Sequence, residues 1–411
     1  MKKTATLFFL LISGTASAQF TWEKVYGGVN FEQLYGIAAS RTGDVFVYGL
    51  TGSFGIGYAD GYLLRINSAG DTIFTHTYGN QPNEGIADVC ETFDNGLIIA
   101  TADNANAEFI IIKTDAAGNV QWANAYDLGN VDVPRRIIET SDSCYVICGN
   151  TVTISTFQPF MIKIDQNGNV IWSKIYDFGI NLQHDFMWVE EYSGALYAAG
   201  IAVDSTLGNG VLLAKLDTNG FVIWAEHIDS PQMLIAPAID ITSTGQIMLS
   251  GHYAPVNNSN SSGFLMKFDP SGALNWAKIY GLPNDPVLFT RAIEDEDKNM
   301  AISGIYGTTA YHALFVKTDS SGNLVNTTSF GLNTLFHDIE LCESGYIAAG
   351  VKMFAHDTSD IYSFYVVRMD NSGNSMCSTT SSLTVGPQST TLVQLSGTAI
   401  DTSVVIPFTV I

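Results

Sequence analysis

Three pairs of neighbours, His184-Asp185, His337-Asp338 and His356-Asp357, bring together residue types that often share general acid–base work. Neighbours on a strand point to opposite faces, so adjacency makes none of them a dyad. His184 lies 16 residues before the glycine closing its hairpin and His337 only 13, so the two are not equivalent positions. Arginine is the scarcer signal. The chain has six, and Arg135, Arg136 and Arg291 all fall where a strand begins. Counting back from the hairpin turns groups Tyr35, Asp88, Arg136, Arg291 and His337 at one height near a common axis. A guanidinium forks onto a carboxylate or phosphate, and Trp188 and Tyr253 are rings on which a sugar can stack. These five are the candidate binding residues for an anionic or glycan ligand. The same arginines also have acids to neutralise, among them Asp132, Glu294 and Glu296.

Other chemistry is excluded by pattern. No G-x-S-x-G, H-E-x-x-H or phosphate-cradling loop occurs. The five cysteines include no C-x-x-C and are expected to act as small hydrophobes. A recurring D-x-x-G-N string resembles a calcium loop, but its glycine comes too early and no glutamate follows at the needed distance. No catalytic residue, metal or cofactor is therefore expected.

The elements that must position such residues repeat. The frame reads Lys113-x-Asp115-x-x-Gly118-Asn119-x-x-Trp122, then Tyr126, and returns as Lys163, Asp165, Gly168, Trp172 and Tyr176. A third copy holds Lys267, Asp269, Gly272, Trp276 and Tyr280. With looser copies, the turn glycines fall at 70, 118, 168, 220, 272, 322 and 373, spaced 48 to 52 apart. Each is a strand–turn–strand whose glycine takes the left-handed conformation while the Asp bonds the amides ahead of it. A second hairpin, such as Gly36 to Gly49 or Ile239 to Gly251, lies between each Tyr and the next Lys-x-Asp. Four short strands, seven times over, predict an all-β, seven-bladed β-propeller of four-stranded antiparallel blades. Phe20 to Tyr26 is an unpaired Trp-type strand, whereas the copy after Asn374 has lost both aromatics. The N-terminal strand is thus expected to close the last blade, pairing near 364 to 369. Both tight turns then lie on one face, and longer, varied loops on the other, where binding sites usually sit. The Lys/Arg ladder of the frame belongs to the repeat and is expected to be structural.

This frame resembles the secreted propeller repeats of Bacteroidota cell-surface proteins and is similar to the tryptophan-docking repeat of quinoprotein propellers. The first resemblance implies a surface protein, often ending in a type IX sorting domain; none is visible here. The second implies a cofactor beside an adjacent-cysteine disulfide, and the chain has no Cys-Cys. Sialidase boxes have shorter Asp-to-Gly and Asp-to-Trp distances than this frame, and that match fails.

The N-terminus sets the expected compartment. Lys2 and Lys3, the apolar run Leu7 to Ile12 and Ala16-Ser17-Ala18 form the three regions of a signal peptide over 1–18, too short to span a bilayer. The propeller is expected over 19–377, followed by a Ser/Thr/Val-rich tail over 378–411. Removing the signal peptide takes two lysines and no acids, so the formal charge moves from −22 to −24. Such an excess repels phosphate backbones, which argues against nucleic acid; no membrane insertion is expected, and a monomer is. Two functions fit: a secreted or cell-surface module that binds a glycan or protein without catalysis, or a polysaccharide-active hydrolase or lyase. The first is favoured because no loop departs far enough from the repeat to build an active site.

Overall fold

The computed structural model describes residues 20–406 except 57, 80–83, 104–107, 130, 154–155, 179–183, 205–207, 230–232, 255–260, 283–284, 355–360, 381–382, 388–390, 396–397 and 402–404. The proposed signal peptide and His356-Asp357 lie outside the described residues. No helix is present among those described.

Seven antiparallel blades are strung in chain order. Blade 1 is typical, running Glu32–Ala39, Val45–Thr51, Asp60–Ile66 and Thr72–Tyr78 from inside to outside. Blade 7 is closed from the other end of the chain: Trp22–Tyr26 pairs antiparallel with Ile361–Met369, in register from Trp22↔Arg368 to Tyr26↔Phe364. An apolar cluster fills each interface between neighbouring blades, so the core is a ring of seven wedges.

The repeat frame is a docking device. The turn glycines all have positive φ, from +74° at Gly70 to +91° at Gly272, because the turn needs a left-handed residue. The missing Cβ also makes room for the preceding blade's ring: one at Gly220 would meet Trp172 at 2.9 Å, and one at Gly322 would meet Trp276 at 2.8 Å. The indole N–H of Trp172 donates to the Thr218 carbonyl at 3.1 Å, and the Tyr176 hydroxyl to that of Gly220 at 2.9 Å. Trp and Tyr of one blade thus hold the turn of the next, which explains why they recur together with the glycine. The frame's acid caps its own turn, Asp115 accepting from the amides of Ala117 and Asn119 at 2.9 Å. Its base pairs elsewhere. Lys113, Lys163 and Lys317 reach Asp94, Asp142 and Asp295 in the second hairpin of the same blade, at 3.0, 2.6 and 2.8 Å.

The tail does something the repeat does not announce. Its strands Thr379–Thr380, Thr384–Pro387, Thr391–Leu395, Thr398–Asp401 and Val405–Ile406 each add a fifth antiparallel strand to a blade's outer edge. They visit blades 6, 5, 4, 3 and 2 in turn, running backwards around the ring. Four begin at 384, 391, 398 and 405, one per seven residues, which is about 23 Å of extended chain per blade.

Candidate functional site

Inner strands enter from the face with the long connections, and there most carry a β-bulge. The register slips between Leu34/Gly36, Ile86/Asp88, Pro134/Arg136, Phe289/Arg291 and Phe336/Asp338, leaving Tyr35, Ala87, Arg135, Thr290 and His337 as the extra residues. A bulge re-aims the residues around it. Tyr35, Ala87, Arg135 and Thr290 line a cavity of about 610 Å³ at the mouth of the axial channel. Phe31, Gln33 and Tyr58 complete its wall on the blade 1 side, and Met187 and Trp188 stand on blade 4.

The five residues grouped by sequence occupy two successive positions. Tyr35 and His337 are bulge residues; Asp88, Arg136 and Arg291 are the residues that follow a bulge. The reason lies in the turns. Gly43 and Gly245 hold the left-handed position of the second hairpin in their blades, but Asn95, Ser143 and Lys298 hold it in blades 2, 3 and 6. Counting from that position aligns Tyr35 with Ala87, Arg135 and Thr290.

Asp88, Arg136 and Arg291 meet beneath the cavity, around Trp188. Arg136 and Arg291 both lie over the indole, 4.1 and 4.9 Å from its centroid, and the indole N–H donates to Glu190 at 2.9 Å. Arg136 pairs with Asp88 at 3.2 Å and Glu190 at 3.4 Å; Arg291 pairs with Asp338 at 2.8 Å and Glu340 at 2.7 Å. The acids they neutralise are therefore not Asp132, Glu294 or Glu296. Two carboxylates also tie blades together: Asp88 accepts from the Ile137 amide at 2.7 Å, and Asp338 from the Ile37 amide at 3.0 Å. Burial pushes the Asp88 carboxyl up, against the pull of Arg136 and the Tyr48 hydroxyl. Burial likewise works to lower the Arg136 guanidinium, but Asp88 and Glu190 outweigh it. His337 is half-buried, lowered by that burial, and is not part of the cavity wall. Tyr253 packs into the core between blades 4 and 5. His184 is buried, its ring against Phe178.

Sequence reasoning missed Phe31 and Tyr58, which sit in connections that do not repeat, Gln33 near the start of the inner strand of blade 1, and the acids Glu190 and Glu340. A signal for Trp188 was present: five of the six tryptophans fill the repeat frame, and Trp188 is the one outside it.

Asp240 gives this network a pH dependence. Burial pushes its carboxyl up to about 7, with Glu190 and Glu340 adding to the rise and the Glu294 amide and Arg291 opposing it. Its value in the unfolded chain is about 3.9. Between those values the folded protein keeps a proton that the unfolded chain releases, so this contribution to stability is whole below about pH 4 and lost as pH rises through 7. Asp240→Asn is expected to match the wild type near pH 4 and to exceed it increasingly up to pH 7, by roughly 1–4 kcal/mol at pH 8 in denaturant melts. Identical pH profiles would assign the dependence to another group.

Fold and cavity together define a seven-bladed propeller with a ligand-sized opening at the channel mouth. No family model matches the chain, and no curated protein does. Among solved structures, the chain is similar to an ulvan lyase of polysaccharide lyase family 25 bound to -[GlcA(1-4)Rha3S]- (TM-score 0.56, 8% identity, covering 83% of this chain and 94% of that one). It is also similar to the polysaccharide lyase Uly1, with TM-score 0.50 and 10% identity, covering 84% of this chain and 91% of that one. At these identities the likeness is one of fold.

Proposed function

We propose that the chain is an exported propeller that binds a polysaccharide at the mouth of its channel without cleaving it. The signal-peptide pattern of 1–18 supports export. The observation that carries the binding reading is the make-up of the cavity wall: Phe31, Tyr35, Tyr58 and Trp188 with Gln33 and Arg135, and, among the described residues, no Asp, Glu or His. A glycoside hydrolase needs two carboxyl groups flanking the scissile bond, and the described residues of this wall offer none. Tyr35 is a poor proton acceptor, because burial raises its hydroxyl above the ordinary tyrosine value. What remains is recognition. Aromatic faces suit sugar rings, and Arg135, with 42% of its side chain exposed and Asp185 at 3.2 Å, presents a fork toward an acidic sugar or sulfate.

Ulvan, polygalacturonate, xylan and cellulose, set in native gels or offered as pull-down matrices, are the first probes. Retention of the wild type by at least one is expected, with Tyr35→Ala and Arg135→Ala each weakening it about tenfold or more at unchanged melting temperature. If both variants bind as the wild type does, the site is elsewhere. The similarity to lyases gives the second reading its place: shortening of any retained polysaccharide by the wild-type protein would replace binding with catalysis.

A further inference from the structure

We propose that the ligand is an extended chain rather than one or two sugar rings, because blade 1 carries an outer subsite continuous with the cavity. This rests on the carbohydrate reading above. The loop between Val45–Thr51 and Asp60–Ile66 has the sequence Gly52-Ser-Phe-Gly-Ile-Gly-Tyr-Ala59, and the neighbouring connection is Gly27-Gly-Val-Asn-Phe31. Neither contains a charged residue, in a chain of net charge −22. Together they expose Val29 (82%), Phe54 (42%), Ile56 (85%) and Tyr58 (72%). Grouped apolar exposure of this kind marks a site of contact.

The patch is built, not merely bare. Asn30 binds the facing loop twice, its amide to the Ser53 hydroxyl and its side chain to the Gly52 carbonyl, both at 2.8 Å. The Gly52 amide donates to the Phe31 carbonyl at 2.8 Å. Phe54 stacks on buried Tyr62 at 5.3 Å, and Tyr62 packs on Phe364 at 5.5 Å. Gly55 has φ +93°, and a Cβ there would run into the Asp60 carboxylate, so the loop's path is set from beneath. Rings fixed before binding lose little entropy when a ligand lands on them.

Continuity with the cavity selects the occupant. Tyr58 belongs to both: it lines the cavity and stands 5.8 Å from Phe31, another cavity residue, while lying on the same short loop as Phe54 and Ile56. A chain seated against Arg135 and Tyr35 therefore leaves the channel mouth over Tyr58 and meets Phe54 next. Uncharged aromatic faces there favour the C–H faces of sugar rings over any particular charge, so this subsite adds length dependence and the cavity adds selectivity.

The test compares disaccharides with hexasaccharides of galacturonate, xylose and glucose, and of ulvan, by calorimetry on the full exported chain. For a sugar the wild type binds, the hexasaccharide is expected to bind at least tenfold tighter than the disaccharide. In Phe54→Ala and Tyr58→Ala that ratio falls to about twofold at unchanged melting temperature, while Arg135→Ala weakens both lengths together. A preserved length ratio in both loop variants overturns the subsite and leaves the cavity reading standing. Loss of self-association instead, seen by sedimentation, would make the patch an interface between copies and overturn it too. Failure of every probe to bind the wild type would remove the carbohydrate reading itself.

Discussion

Deleting residues 20–28 should leave a chain that aggregates and does not melt cooperatively. Trp22–Tyr26 is the outermost strand of blade 7 and the sole element of that blade drawn from the start of the chain. Without it, Ile361–Met369 presents an unpaired edge, and its own residues Phe364, Val366 and Val367 are buried in the intact ring. An apolar open edge recruits other chains. The loss inside is as large: Trp22 is 6% exposed, its N–H donates to the Ser68 carbonyl at 3.0 Å, and the Tyr26 hydroxyl donates to Gly70 at 2.6 Å. Truncating a buried Trp costs about 3–5 kcal/mol, and a domain holds roughly 5–15 kcal/mol in all. The expected result is aggregation on size exclusion and no cooperative melt. A monomer with an unchanged melting temperature would show that the ring is held shut elsewhere. Blade 1 offers a contrast: among the described residues no strand covers the outer edge of Thr72–Tyr78, but Thr72, Thr75 and Thr77 are exposed there beside Ile73 and make it mostly polar.

What was legible in the sequence follows from what repeats. A contact made around the ring imposes similar residues blade after blade. Five of the seven blades keep the Trp and all seven the turn glycine, so Trp172, Tyr176 and Gly220 are legible as a unit. Blade number and ring closure follow from that unit alone. Bulges are different. Tyr35, Arg135 and Thr290 share a backbone position but not a residue type, and the turn used to align them changes its left-handed residue from Gly43 to Asn95, Ser143 and Lys298. The grouping of Arg136 and Arg291 with Tyr35 slipped by one for that reason. Phe31 and Tyr58 come from connections unique to one blade, where no second copy exists to compare. The tail shows a third case. Four of its strand starts recur every seven residues, but each strand is only two to five residues long, and a pairing partner more than 220 residues away leaves no local mark.

Arg291→Ala should be the most costly single substitution at the axis. The guanidinium is 7% exposed and donates to both Asp338 and Glu340, and it lies over Trp188. Those acids stay behind when it is removed. Asp338 is itself buried and already committed to the Ile37 amide of blade 1, so it cannot turn to solvent. Breaking a buried pair from one side costs about 3–5 kcal/mol, because the remaining charge is left desolvated and unmatched. Arg291→Lys keeps one charge but loses the fork, and is expected to recover part of the loss. The pH response separates the causes. Burial already raises the Glu340 carboxyl, with Arg291 opposing that rise, so removing Arg291 lifts it further and lets acid neutralise it. The stability gap between wild type and Arg291→Ala should accordingly narrow from pH 8 to pH 5 in denaturant melts. A gap of constant size across that range would assign the loss to packing against Trp188 and not to unpaired carboxylates.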